Sequence, residues 1–88
     1  VFMFIEALAD AAVKHGVKRS DAYLFASQTL LGSAKLQLES GEHPAVLKDR
    51  VCSPGGTTID AVAVLEDMGL RSAVISAVDA CVKKSEEM

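Results

Sequence analysis

The chain has no tryptophan, one tyrosine and three phenylalanines among its 88 residues, so no aromatic cluster can fill its interior. Half of the residues are nonetheless apolar, which leaves alanine, valine and leucine to pack between closely spaced helices, a composition that suits a helical bundle. Cysteine is scarce as well. Cys52 and Cys81 are too few for a disulfide framework and lack metal-knuckle spacing. Free thiols, buried or half-buried, are expected, and with the acidic balance they fit a reducing compartment such as the cytoplasm. Positive charge is not in excess: the net charge of −3 gives no basic stripe, so nucleic acid and anionic membranes are poor partners. The apolar opening Val1-Phe2-Met3-Phe4-Ile5 is far too short to span a bilayer. Nor do the glycines at 16, 32, 41, 55, 56 and 69 fit G-x-G-x-x-G or a P-loop. His15 and His43 each lack a second ligand at i+4, so no metal site is expected.

What remains reads as an all-α chain of five helices, with no sustained alternation for a strand and no internal repeat. The first runs from Val1 to His15, with Phe4, Ile5, Leu8, Ala11 and Ala12 on one face and Glu6, Asp10 and Lys14 on another; Gly16 ends it. Val1 has no cap before it, which reads as a helix already under way and a chain that is a piece of something longer. Ser20 or Asp21 caps a second helix, with Tyr23, Ala26, Leu30, Leu31, Ala34 and Leu38 apolar, Gly32 marking a close approach of another helix and Gly41 at its end. A short third helix from His43-Pro44 turns Leu47 and Val51 inward and leaves Lys48, Asp49 and Arg50 mostly outside. The fourth runs from Gly56 or Thr57 to Met68, stopped by Gly69. The fifth carries Ser72, Ser76, Asp79, Lys83 and Glu86 on one face and a broad apolar face of Val74, Ile75, Ala77, Val78, Cys81 and Val82 on the other. A chain of this size buries only about sixty to seventy per cent of its unfolded surface, and such faces exceed what one small bundle covers. A second copy is the expected partner, at least as a dimer.

The break between the third and fourth helices carries most of the functional information. In Ser53-Pro54-Gly55-Gly56-Thr57-Thr58, Ser53 suits an N-cap, Pro54 the first helical position, and the two glycines leave backbone amides bare. Free amides at a helix start favour a carboxylate or phosphate without any lysine or arginine, and Thr57 and Thr58 add hydroxyls at the rim. Read from local chemistry alone, the same six residues also make a capped structural turn.

The wider string distinguishes the two. His43-Pro44, Leu47-Lys48-Asp49, Ser53-Pro54-Gly55-Gly56-Thr57-Thr58-Ile59 and Val64-Leu65-Glu66 resemble the signature region of pyrroline-5-carboxylate reductases, and Phe4–Val13 and Leu31–Lys35 resemble the helices that precede it. The resemblance covers essentially the whole chain. It implies that residues 1–88 are the C-terminal dimerisation and substrate domain of an oxidoreductase that reduces 1-pyrroline-5-carboxylate to L-proline with NADPH or NADH, in the last step of proline biosynthesis. The Rossmann domain that seats the dinucleotide would then lie outside this chain, and the 88 residues alone would be inactive. The substrate-binding residues implied are Ser53, Pro54, Gly55, Gly56, Thr57 and Thr58: backbone amides at Gly55, Gly56 and Thr57 hold the carboxylate, and the Thr58 hydroxyl, the catalytic group, meets the ring nitrogen. Cys52 departs from the small residue usual at its position. The alternatives are a non-catalytic helical oligomerisation module and the dimerisation domain of another NAD(P)-dependent dehydrogenase.

Overall fold

The computed structural model describes all 88 residues, Val1–Met88, as five helices and no strand: α1 (Phe2–Lys14), α2 (Arg19–Ser40), α3 (Pro44–Val51), α4 (Thr57–Asp67) and α5 (Leu70–Glu87). The all-α expectation holds, and Gly16, Gly41 and Gly69 end the helices they were assigned to, each at positive φ. The chain divides into two compact units, residues 1–47 and 48–88.

In the first unit α1 packs on α2 through three alanines. Ala9, Ala22 and Ala26 are the buried core, and Ile5, Leu8, Ala12, Val13 and Val17 close around it. Methyl-sized side chains let the two helix backbones come close, and Ile5, Leu8 and Ala12 lie on the contact face of α1 as expected. Ala9 and Val13 replace Phe4 and Ala11, both of which are exposed. On α2 the expected Ala26 and half-buried Leu30 are joined by Ala22, while Tyr23, Leu31, Ala34 and Leu38 are exposed.

The start of α2 differs from expectation too. Neither Ser20 nor Asp21 caps it; Lys18 occupies the N-cap with extended backbone (φ −60°, ψ 142°) and no side-chain cap, its carbonyl accepting from the Ala22 amide at 2.8 Å. The earlier start puts Arg19 inside the helix. From there its guanidinium donates to Asp10 Oδ1 of α1 at 2.5 Å and lies 5.6 Å from the centre of the Tyr23 ring one turn on. The hydrogen bond it donates to Asp10 raises the Arg19 pKa above its ordinary value, so the group stays charged. Gly32 was expected to face a neighbouring helix, yet a side chain there would meet open space; no helix of this chain makes that approach.

Leaving α2, the Ser40 hydroxyl accepts from the Glu42 amide at 3.1 Å, and Gln37 Nε2 donates to the Glu42 carbonyl at 3.0 Å. His43 then caps α3 twice over. Its carbonyl accepts from Val46 and Leu47 (2.9 and 3.3 Å), and its Nδ1 accepts from the Ala45 amide at 3.0 Å. Pro44, which has no N–H to satisfy, fills the position between. Leu47 is half-buried as expected, but Val51 is 63% exposed. Lys48 pairs with Asp49 at 3.2 Å.

In the second unit α4 and α5 meet at the Gly69 corner (φ 78°), where Arg71 Nε donates to Glu66 Oε1 at 2.6 Å. Leu70 is half-buried there and Val62 within α4, and no residue of α5 beyond Leu70 is even half-buried. Val74, Ile75, Val78 and Val82 are 50–61% exposed, and Cys81, expected to be at least half-buried, is exposed as well, while Cys52 is half-buried; both are free thiols. The chain exposes 7287 Å² in all. Two separate compact units of half the chain's length expose about 6,000 Å².

Candidate functional site

The six residues singled out in the sequence form a turn followed by the first turn of α4, which starts at Thr57, one of the two expected starts, but with its N-cap three residues later than the expected Ser53. Ser53 is not the N-cap and Pro54 is not the first helical residue. The Gly56 amide donates to the Ser53 carbonyl at 3.0 Å, closing a β-turn with Pro54 second and Gly55 third. Gly55 sits at φ +68°, in the left-handed region that the third position of a type II turn requires and a side chain disfavours. A right-handed helix cannot start through such a residue. It starts only after Gly56 has returned to extended backbone (φ −81°, ψ 173°), which makes Gly56 the N-cap of α4.

This register decides which amides are open. The Gly56 amide, one of three expected to hold an anion, is engaged inside the turn. The Gly55 amide has no acceptor in the chain, and the amides of Thr57, Thr58 and Ile59 have none among the turn residues before them and no side-chain cap, as the first turn of a helix leaves them. The hydroxyls of Ser53, Thr57 and Thr58 make no hydrogen bond, and all three residues are exposed. Gly56 itself is half-buried because Ser53 folds over it: a Cβ built on Gly56 would collide with Ser53 Oγ and stand 3.2 Å from the Ser53 carbonyl oxygen.

Asp60 was not singled out in the sequence. It lies in the first turn of α4, where a carboxylate offsets the partial positive charge of the helix start. The field at this end of α4 is weakened accordingly, while the open amides keep their hydrogen-bonding capacity. The T-T-I-D run, an acid three residues into a helix, is the signal that marks it. Cys52, directly before the turn, is half-buried, and its amide donates to the Asp49 carbonyl at 3.2 Å. No base stands beside its sulfur in sequence, and no group of three or more histidine, cysteine, aspartate or glutamate side chains comes together in the chain.

Between α1 and α2, separate from this turn, an open apolar groove of about 170 Å³ is lined by Leu8, Ala12, Ala22, Phe25, Ala26 and Thr29. No helix of the chain is long and apolar enough to cross a membrane.

Among known proteins, the chain is 64% identical over all 88 residues to pyrroline-5-carboxylate reductase of Escherichia coli K12 and 56% identical over 88 residues to that of Synechocystis. It spans about a third of the length of each, 33% in both cases. The fold matches 1-pyrroline-5-carboxylate reductase from Streptococcus pyogenes with a TM-score of 0.96 at 41% identity, over 99% of this chain and 34% of that one. It also matches Plasmodium falciparum pyrroline carboxylate reductase with NADP bound, with a TM-score of 0.91 at 37% identity, over 96% of this chain and 32% of that one. The family model for pyrroline-5-carboxylate reductase dimerisation matches residues 1–88 from end to end, and the chain belongs to that family.

Proposed function

We propose that residues 1–88 are the C-terminal dimerisation and substrate-holding domain of an enzyme that reduces 1-pyrroline-5-carboxylate to L-proline, the closing step of proline biosynthesis. The observation that carries this reading is the head of α4: a turn with an open Gly55 amide, followed by open amides at Thr57 and Thr58 and unengaged hydroxyls, in a chain of this family. Such an end suits a small carboxylate, which can accept two or three amide hydrogen bonds at once.

The five helices offer no glycine-rich strand-to-helix turn that could seat a dinucleotide, so the residues present do not fit NADPH or NADH. The hydride donor belongs to protein outside these 88 residues. The Plasmodium relative described with NADP bound favours NADPH. The work of this chain is positional. Amides of Gly55, Thr57 and Thr58 hold the substrate carboxylate, the Thr58 hydroxyl hydrogen-bonds the ring nitrogen that gains a proton as the imine becomes an amine, and Ser53 and Pro54 shape the near wall. Fixing two points of a five-membered ring sets the orientation of its imine carbon, which lowers the entropic part of the barrier. The Gly56 amide, already bonded to Ser53, has a reduced share in this.

The partner is a second copy of the chain, at least as a homodimer. Support comes from the exposed stripe Val74, Ile75, Val78 and Val82 of α5, from the α1–α2 groove and from the dimerisation family itself. Net negative charge argues against nucleic acid and anionic lipid surfaces, and the two free thiols fit a reducing compartment such as the cytoplasm.

Thr58→Ala tests the reading, in a chimera where this chain replaces the matching third of the Escherichia coli enzyme. Loss of a positioned hydrogen bond worth about 1.5–3 kcal/mol lowers kcat/KM by roughly ten- to a hundred-fold, with little change in melting because Thr58 is exposed. Thr57→Ala, which keeps the amide, is mild. Wild-type activity in Thr58→Ala would take Thr58 out of the site and return the turn to a structural role.

A further inference from the structure

The glycine at position 56 needs a reason other than its backbone. Its φ of −81° and ψ of 173° are open to any residue, in contrast to Gly55 at φ +68°. What forbids a side chain is Ser53, whose Oγ occupies the space a Gly56 Cβ would take. The Ser53 carbonyl oxygen, 3.2 Å from that Cβ position, yields by a few tenths of an ångström, and Ser53 Cβ, at 3.7 Å, is in ordinary contact. The conflict therefore lies with one atom, the serine hydroxyl, and that atom sits at the end of a rotatable bond. A methyl group at 56 would turn it away and press the Ser53 carbonyl back by a few tenths of an ångström.

We propose that Gly56 is a positioning residue for Ser53: the missing side chain keeps the Ser53 hydroxyl folded over the N-cap of α4, beside the open amides, and the two residues act as one unit in the site. This rests on the proposed function of the turn. The Ser53 hydroxyl has no hydrogen-bond partner of its own in the chain, so it can lie over Gly56 only because a bare glycine leaves the space, and a hydroxyl displaced from there is lost to the site. Bulk at position 56 then acts through Ser53 and not by meeting the substrate carboxylate itself.

A double-mutant cycle in the same chimera separates the two. Gly56→Ala and Ser53→Ala each remove the hydroxyl from its place, one by eviction and one by deletion, so each lowers kcat/KM by about ten-fold, mostly through KM. The double variant is then no worse than either single one, because Ser53→Ala leaves Gly56→Ala nothing to displace. A double variant whose loss is the product of the two, near a hundred-fold, means that the methyl at 56 meets the substrate directly and overturns the proposal. Wild-type KM in either single variant overturns it as well. Thermal melts at matched concentration guard against a folding effect: a deficit that follows the melting temperature and not KM counts against positioning. Thr58→Ala reports on the site by itself, so a silent Thr58 with an intact cycle, or the reverse, distinguishes failure of the proposed function from failure of this pair.

Discussion

Two adjacent glycines in one turn are needed for opposite reasons, and that difference is measurable. Nothing stands within 4 Å of a side chain added at Gly55, but its φ of +68° is one that residues with a Cβ avoid; Gly56 has ordinary dihedrals and no room. Gly55→Ala therefore strains the backbone and lowers stability by about 1 kcal/mol. Gly55→Asn recovers part of that loss, since asparagine tolerates the left-handed region best among residues with side chains. Urea unfolding of the two variants at equal chain concentration checks the order. Equal stability of Gly55→Ala and wild type would mean that the turn relaxes to another type when Gly55 is replaced. At Gly56 the same alanine is felt mainly in substrate handling, because a serine hydroxyl rotates more readily than a backbone changes region.

Among the elements, α3 depends most on a single side chain. Its first available amide is that of Ala45, because Pro44 has none, and His43 Nδ1 is the acceptor at 3.0 Å. Histidine at an N-cap does here what asparagine or aspartate usually does, so His43→Asn keeps the cap while His43→Ala loses about 1 kcal/mol. Hydrogen exchange at the Ala45 amide should quicken in His43→Ala and stay slow in His43→Asn; unchanged protection in the alanine variant would refute the cap. How much of this could be read beforehand follows from the kind of signal each residue gives. Helix ends were legible at Gly16, Gly41 and Gly69, where a glycine after an apolar run stops a helix by its φ alone. The site turn was legible as a turn, and the start of α4 at Thr57 with it, but not the residue that caps the helix. Ser-Pro-Gly-Gly satisfies both a cap with proline at the first helical position and a type II turn followed by a glycine cap, and only the left-handed Gly55 with its Gly56–Ser53 hydrogen bond distinguishes them. The core was legible least, because Ala9 and Ala22 give no periodic signal against neighbouring leucines and phenylalanines. The large apolar residues that do give one, Leu31 and Leu38 among them, face away from every buried position of this chain.

Those large residues set the expectation for the molecule as a whole. The 7287 Å² exposed exceeds the surface of two independent compact halves by about 1,300 Å². A standard interface takes about 800 Å² from each partner, so this excess is enough to form one. The excess includes apolar side chains, with α5 contributing Val74, Ile75, Val78 and Val82 at helical spacing and no residue past Leu70 even half-buried. In an isologous dimer the stripe on one copy is covered by the same surface of the other, and the stability of each copy is then tied to the concentration of chains. Sedimentation of the 88-residue chain at micromolar concentration should therefore give a dimer or larger species. Val78→Asp, which puts a charge in the middle of the α5 stripe, should release monomers and lower the melting temperature together. The wild-type melting temperature should also rise with chain concentration, which a self-contained bundle would not show. A wild-type monomer that melts cooperatively at a concentration-independent temperature would mean that the exposed stripe of α5 is tolerated by a single copy, and it would remove the second copy from the proposed function.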